Sequence, residues 1–426
     1  MKKYLALLSL MVIIPTTVYA WSDHMYYSHE ALSVMQEVTS AENVKVEKLE
    51  DFLKKESAGL AVLLKEQDIF LQKTYPVYPP LPESLMFDGK DSANIKVNFL
   101  KAIRVNPEIR LGYYLQNLPA TDISKKNKVD NKTVSVFKDI AWLSRYIFTG
   151  INAGEKVIPL EVLSTASDEP DYGHDIHLFE DNNSESGKTY GFGVQPFGDP
   201  KLEYTSQAPF HMGYYHESFI IFAAAGFLKQ TYPEIRVYQY LELAKFAFNT
   251  GHPYWGWRFL GWGLHYVQDL SQPYHTKVLP GYGTTRMLII NLSKEKSAKA
   301  VDNLSDRHLS LENFIYQNTL SLYEKKSLDA PFFSSLRDTV SDSKYSEFNE
   351  NYSRDEIAEE SFDLADDLDD AISSWPEIIK FKDKNYHLEN FTPTEESREI
   401  DKLIEQMMKN YGAHSRNFVR AALKGK

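Results

Sequence analysis

GWGLHYVQDLSQPYH, residues 261–275, is the stretch whose reading decides the fold. His265 and Asp269 stand four apart inside an apolar run at helical spacing, so both side chains project from one face of a helix. Pro273 then breaks that helix and returns His275 toward the same neighbourhood. Two imidazoles and a carboxylate in so short a span suit zinc, whose nitrogen and oxygen ligands sit roughly 2.0–2.2 Å from the ion.

Downstream, RHLSLENF (307–314) sets His308 and Glu312 at the same four-residue spacing. One such pair alone reads as a helix-surface hydrogen bond or a satisfied core histidine. Two pairs with His275 between them outweigh that reading and point to a site built between facing helices. Just upstream, HPYWGWRFLGW (252–262) is aromatic enough to suggest membrane insertion, but its place before the ligand helix favours core packing.

Helical periodicity extends outward from this centre. Apolar residues recur at three- and four-residue spacing over 31–38, 49–64, 134–147, 218–228, 235–248, 255–270, 356–372 and 395–423. The acidic runs Asp366-Asp367 and Asp369-Asp370 read as a solvated helix face. Breaker residues cluster at 75–82, 167–209 and 279–293, the middle cluster reading as a long surface excursion. The expectation is an all-α fold, a multi-helix bundle with long loops around a buried trinuclear zinc site. Residues 21–330 would form the catalytic domain, and 331–426 a helical C-terminal extension packed on it.

The first twenty residues read as an export signal: Lys2 and Lys3, an apolar stretch from Leu5 to Ile14, and the small-residue site Val18-Tyr19-Ala20. That stretch is too short for a membrane span of roughly 20 residues, and no later segment is long and apolar enough to be one. The expected product is secreted, periplasmic or extracellular, and begins at Trp21. With no cysteine, any metal must be held by His, Asp, Glu or backbone groups. A net charge of −12 disfavours nucleic acid as a partner, because phosphate-backbone binding relies on Lys and Arg.

Cleavage before Trp21 would expose a free α-amino group able to bind zinc alongside its own carbonyl oxygen. His29 follows at the head of a helical run, and His24 competes with it for a ligand role.

An N-terminal Trp-Ser, then His29, then HYVQDLSQPYH, then HLSLE together resemble the zinc-dependent phospholipase C family of bacteria. That family shares its helical fold with fungal zinc single-strand nucleases. The resemblance implies about three zinc ions. His275, His308 and Glu312 would hold one; Trp21 and His29 would hold another, with Asp269 as a bridge. The last would take His265, Asp269, His211 from QAPFHM and Asp171 from SDEPDYG, with His216 and Asp168 as the alternatives. His174, His177 and His252 are left as structural or surface residues. Asp171 and Asp269 would be the catalytic carboxylates, Asp171 orienting or deprotonating the attacking water.

The family's turn between His275 and His308 is shorter, so 278–306 is expected to be an inserted loop over the site. The implied activity is hydrolysis of the glycerol–phosphate bond of a phospholipid, phosphatidylcholine in the first instance, at a membrane surface. A single-strand nuclease or 3′-nucleotidase would use the same metals; Glu312, where the nucleases place aspartate, and the acidic balance favour the phospholipase. A membrane-binding protein with zinc as a structural staple is the alternative outside enzymology.

Overall fold

The computed structural model describes residues 23–383 and 385–424. The export segment and Trp21 lie outside the described residues. Helix accounts for 61 % and strand for 3 %, which makes the fold all-α. Among the described residues no helix is long and apolar enough to cross a membrane.

The organising element is the helix Pro253–Asp269, with proline in its first turn and buried residues from Tyr254 to its end. Its aromatic start is core: Trp255, Trp257, Phe259 and Trp262 are all at most 3 % exposed. The helix Pro233–Asn249 packs along it after a tight reversal at Gly251, whose φ of +84° lies in the left-handed region. On another side lies Pro159–Ser167. This approach needs Gly261, where a Cβ would stand 2.5 Å from the Ala166 methyl and 2.6 Å from the Leu163 carbonyl oxygen.

Both ends of the described chain close on this centre. The helix His24–Leu32 packs on Pro159–Ser167, and the C-terminal helix Glu395–Leu423 packs on both His24–Leu32 and Pro253–Asp269. Gln268 ties them together: its amide nitrogen donates to Ser28 Oγ at 2.8 Å and to Ser415 Oγ at 3.2 Å.

Several sequence expectations need correction. Residues 134–147 are not an α-helix but a 3₁₀ turn, Ala141–Arg145, leading into the strand Ile147–Gly150. That strand pairs antiparallel with Tyr114–Asn117, Tyr114 opposite Gly150. Short polar side chains capture the backbone before a helix can start: Ser135 Oγ donates to the Tyr172 carbonyl at 3.1 Å and accepts from Phe137 N–H at 3.1 Å. The run over 49–64 is broken at Glu56 into Leu49–Lys55 and Ser57–Thr74.

The segment expected as an inserted loop, 278–306, holds the helix Thr284–Asn291 and the opening turns of the long helix Lys294–Glu324, which Ser293 caps. The acidic run on Glu359–Ser374 is only half solvated. Asp369 is buried and accepts from Tyr274 OH at 2.9 Å and from Arg307, while Asp366 accepts from Lys277 at 2.7 Å. That helix docks on the short turn Pro273–Thr276 and so holds the residue next to His275 in place.

Candidate metal centre

Four acidic residues in the segment 168–175 each take a different partner. Asp168 accepts from Met25 N–H at 3.1 Å and from the Gln116 amide at 2.7 Å, which makes it a structural tie to the first helix. Glu169 meets Arg258 at 2.7 Å and the Trp262 indole N–H at 2.6 Å. Asp175 meets Arg236 at 2.6 Å. Asp175 also stands behind His211, its Oδ2 3.6 Å from His211 Nε2, while Asp171 turns Oδ1 toward the histidines from inside, 3.9 Å from His265 Nε2 and 4.0 Å from His211 Nδ1. The chain can wrap this tightly because Gly173 takes a φ of +114°.

At the centre stands Asp269, fully buried. Its Oδ2 lies 2.8 Å from His211 Nδ1 and 3.2 Å from His265 Nε2, while its Oδ1 faces His275 Nδ1 at 3.3 Å and His24 Nε2 at 3.7 Å. Beyond His275, His308 Nε2 and Glu312 Oε1 stand 2.7 Å apart. Three groups result, the first two sharing His265, each with its ligand atoms within 4.8 Å of one another: His24, Asp171 and His265; His211, His265 and Asp269; His275, His308 and Glu312. Several buried His, Asp and Glu groups could therefore hold metal ions.

The tautomers of two histidines follow from their outer partners. His265 Nδ1 is 2.8 Å from the Ser167 carbonyl, which only accepts, so Nδ1 carries the proton and Nε2 presents a lone pair inward. His24 Nδ1 donates likewise to Gln268 Oε1 at 2.9 Å, leaving Nε2 directed at Asp269.

Burial governs the electrostatics. It pushes His24 and His265 below the ordinary imidazole range and His308 down to about 3, so all three are neutral and basic in the ligand sense. It pushes Glu312 up to about 8. Asp171 rises well above a normal carboxylate through burial and the neighbouring Asp269 charge. Asp269 is also driven upward by burial, but His265 and His211 overcome this and hold it well below the usual range.

A metal ion with nitrogen and oxygen ligands fits the donor set. Tetrahedral ligands 2.0–2.1 Å from a zinc ion lie about 3.3 Å from each other, and the His265–Asp269 and His275–Asp269 separations of 3.2 and 3.3 Å match that edge. Moreover, His24 Nε2, Asp171 Oδ2, His211 Nε2, Asp269 Oδ1, both ring nitrogens of His275 and Glu312 Oε2 are buried without a hydrogen-bond partner. Orphans of this number in one place are rare in a folded chain unless a ligand completes them.

Compared with protein-family models, curated proteins and solved structures, the chain matches none of them.

Of the residues singled out in the sequence, Asp171, His211, His265, Asp269, His275, His308 and Glu312 are brought together. Trp21 is outside the described residues. His29 is in none of the three groups, whereas its alternative His24 is grouped with Asp171 and His265. Five residues apart on one helix is about 140° of rotation, so when His24 faces inward His29 turns away, 4.0 Å from Glu30 and partly exposed. His216, the alternative to His211, contacts the Arg354 carbonyl at 2.8 Å instead. His174 is buried edge-on against Trp262, His177 lies near Glu203, and His252 bonds Glu47.

The sequence reading missed the supports: Gln268 behind His24, the Ser167 carbonyl behind His265, and Asp369 behind Tyr274. For Gln268 a signal existed, since it lies inside the HYVQD element itself.

Proposed function

We propose that this chain is an exported zinc-dependent phosphodiesterase of the phospholipase C type, splitting the glycerol–phosphate bond of a phospholipid. The observation that carries the reading is Asp269, a buried carboxylate whose two oxygens face two different histidine pairs. A structural staple needs four closed ligands around one ion. Three adjoining groups, two of them sharing His265, around one carboxylate instead resemble the multi-metal sites of phosphoester hydrolases.

Zinc at such groups supplies Lewis-acid polarisation of phosphate oxygens and acidifies a bound water. One ion would be held by His275, His308 and Glu312, the others by His24, His211, His265, Asp171 and Asp269. The chain's own contribution is orientation and proton handling. Ser167 and Gln268 fix the rings of His265 and His24 with their lone pairs inward. Asp171, with Oδ2 buried and unpartnered, would orient the attacking water or take its proton. Gln207 steadies its other oxygen at 3.3 Å.

The test is release of phosphocholine from phosphatidylcholine by protein beginning at Trp21, before and after chelation and with zinc restored. Release that disappears with chelator and returns with zinc is the expected result. Folded, zinc-containing protein that releases none, and cleaves single-stranded DNA or 3′-nucleotides instead, would transfer the same chemistry to a nucleic acid substrate.

A further inference from the structure

Against Tyr274 and His308, whose rings stack with centroids 5.2 Å apart, the molecule holds an apolar slot. Met212, Ile221, Leu228, Leu279, Met287 and Val301 are among its lining. Its enclosed volume is about 50 Å³. One wall belongs to 278–306, the segment beyond the family's shorter turn.

The short helix Phe219–Ala224 and the helix Thr284–Asn291 both contribute to the lining, and their starts meet where Ser218 Oγ lies 3.4 Å from Thr284 Oγ1. These helices turn large apolar side chains to solvent. Phe219 is 85 % exposed and Leu292, just past the second helix, 74 %; Ile220, Leu288 and Ile289 are exposed with them. Singly such residues are ordinary, but a contiguous patch around an apolar opening marks a binding surface. The same rim departs from the charge of the whole. Residues 284–300 carry Arg286, Lys294, Lys296 and Lys299 against Glu295 alone, in a chain of net charge −12, whereas Lys277 is already paired with Asp366.

We propose that the slot is an alkyl-chain subsite, and that the two flanking helices seat it on an anionic lipid surface. An acyl chain drawn in through the mouth would run toward Tyr274 and His308, bringing the polar end of the same molecule toward the metal-ligating groups. A narrow apolar slot suits a flexible chain and offers nothing to a base or a sugar. Exposed Phe and Leu with flanking Lys and Arg are the composition of an interfacial helix. This inference rests on the phosphodiesterase reading for its catalytic consequence, but its binding component stands apart from it.

The experiment uses the full mature chain. Cis-parinaric acid, a fluorescent fatty acid with no phosphoester, reports the slot. Co-sedimentation with vesicles of phosphatidylcholine and phosphatidylglycerol at 7:3 reports the rim. Hydrolysis of water-soluble p-nitrophenyl phosphocholine reports the metal site alone. Saturable fluorescence gain in the wild type, at least tenfold weaker in Ala224→Phe at the mouth, is expected. A Phe219→Ser/Leu292→Ser variant should lose at least tenfold in vesicle partition while soluble-substrate turnover stays within twofold.

Absence of saturable parinarate binding by the wild type, or vesicle partition unchanged by the double substitution, overturns the proposal. Loss of the soluble-substrate reaction in the wild type would instead sink the phosphodiesterase reading and leave the two binding measurements to decide this one. Both rim positions are exposed and outside the buried core, so folding of that variant is not at issue.

Discussion

His211 Nδ1 lies 2.8 Å from Asp269 Oδ2, joining the four-residue turn Ala208–His211 to the C-terminus of the helix Pro253–Asp269. The carboxylate at this helix end is held ionised by two imidazoles against the full penalty of burial. Asp269 is therefore the residue on which the groups converge.

Asp269→Asn keeps the size but removes the charge and one acceptor. We expect the variant to lose more than one equivalent of bound metal, because two sets of ligands face the same carboxylate, and to lose at least 100-fold in phosphodiesterase turnover. Elemental analysis of dialysed protein checks the first part. Retention of full metal content would rule out a bridging role.

His24 and His29 make a paired test of the helix phase. His24→Ala should weaken metal binding by roughly 10–100-fold, the usual effect of losing a ligand or the group that orients it. His29→Ala should stay within about twofold on the same scale, because its ring faces away from the centre. Competition for zinc against a chromophoric chelator measures both, and a reversed order would overturn the assignment.

Glu169 and Arg258 form a buried pair beneath the centre, with Trp262 donating to the same carboxylate. Glu169→Gln leaves the guanidinium buried without its counter-charge, a change that destabilises by about 3–5 kcal/mol. Urea unfolding of the zinc-loaded protein should show a lower midpoint at unchanged slope. A loss below about 1 kcal/mol would mean that water or another group satisfies Arg258.

Glu234 provides a pH signature away from the metals. Burial raises its carboxyl to about 7, against the lowering effect of Arg354 at 2.7 Å. Since the folded value lies above the unfolded one, the folded state binds the proton more tightly. The stability this contributes is complete below the ordinary glutamate pKa of about 4.3 and declines as pH rises through 7. Glu234→Gln should therefore flatten the fall in stability between about pH 5 and 8, as followed by thermal melts across that range.

What the sequence made legible was local. His265 with Asp269 and His308 with Glu312 are readable because four-residue spacing on a helix fixes a shared face. Choosing His24 over His29 requires the rotational phase of the first helix relative to the rest, which its own residues do not carry. Residues 134–147 have the apolar spacing of a helix, yet Ser135 and the distant strand Tyr114–Asn117 decide their path. Asp369 reads as surface because its partners Tyr274 and Arg307 arrive from far along the chain. The apolar slot was invisible for the same reason, since its walls belong to segments that meet only in three dimensions.

Gln268, bonded at once to Ser28 and Ser415, has a consequence for the order of events in the protein's life. The support behind His24 is complete only when residues from both ends of the chain have met on the central helix. A polypeptide still being synthesised has no such meeting point. A metal held through His24 would therefore find its support complete only after the last helix has docked.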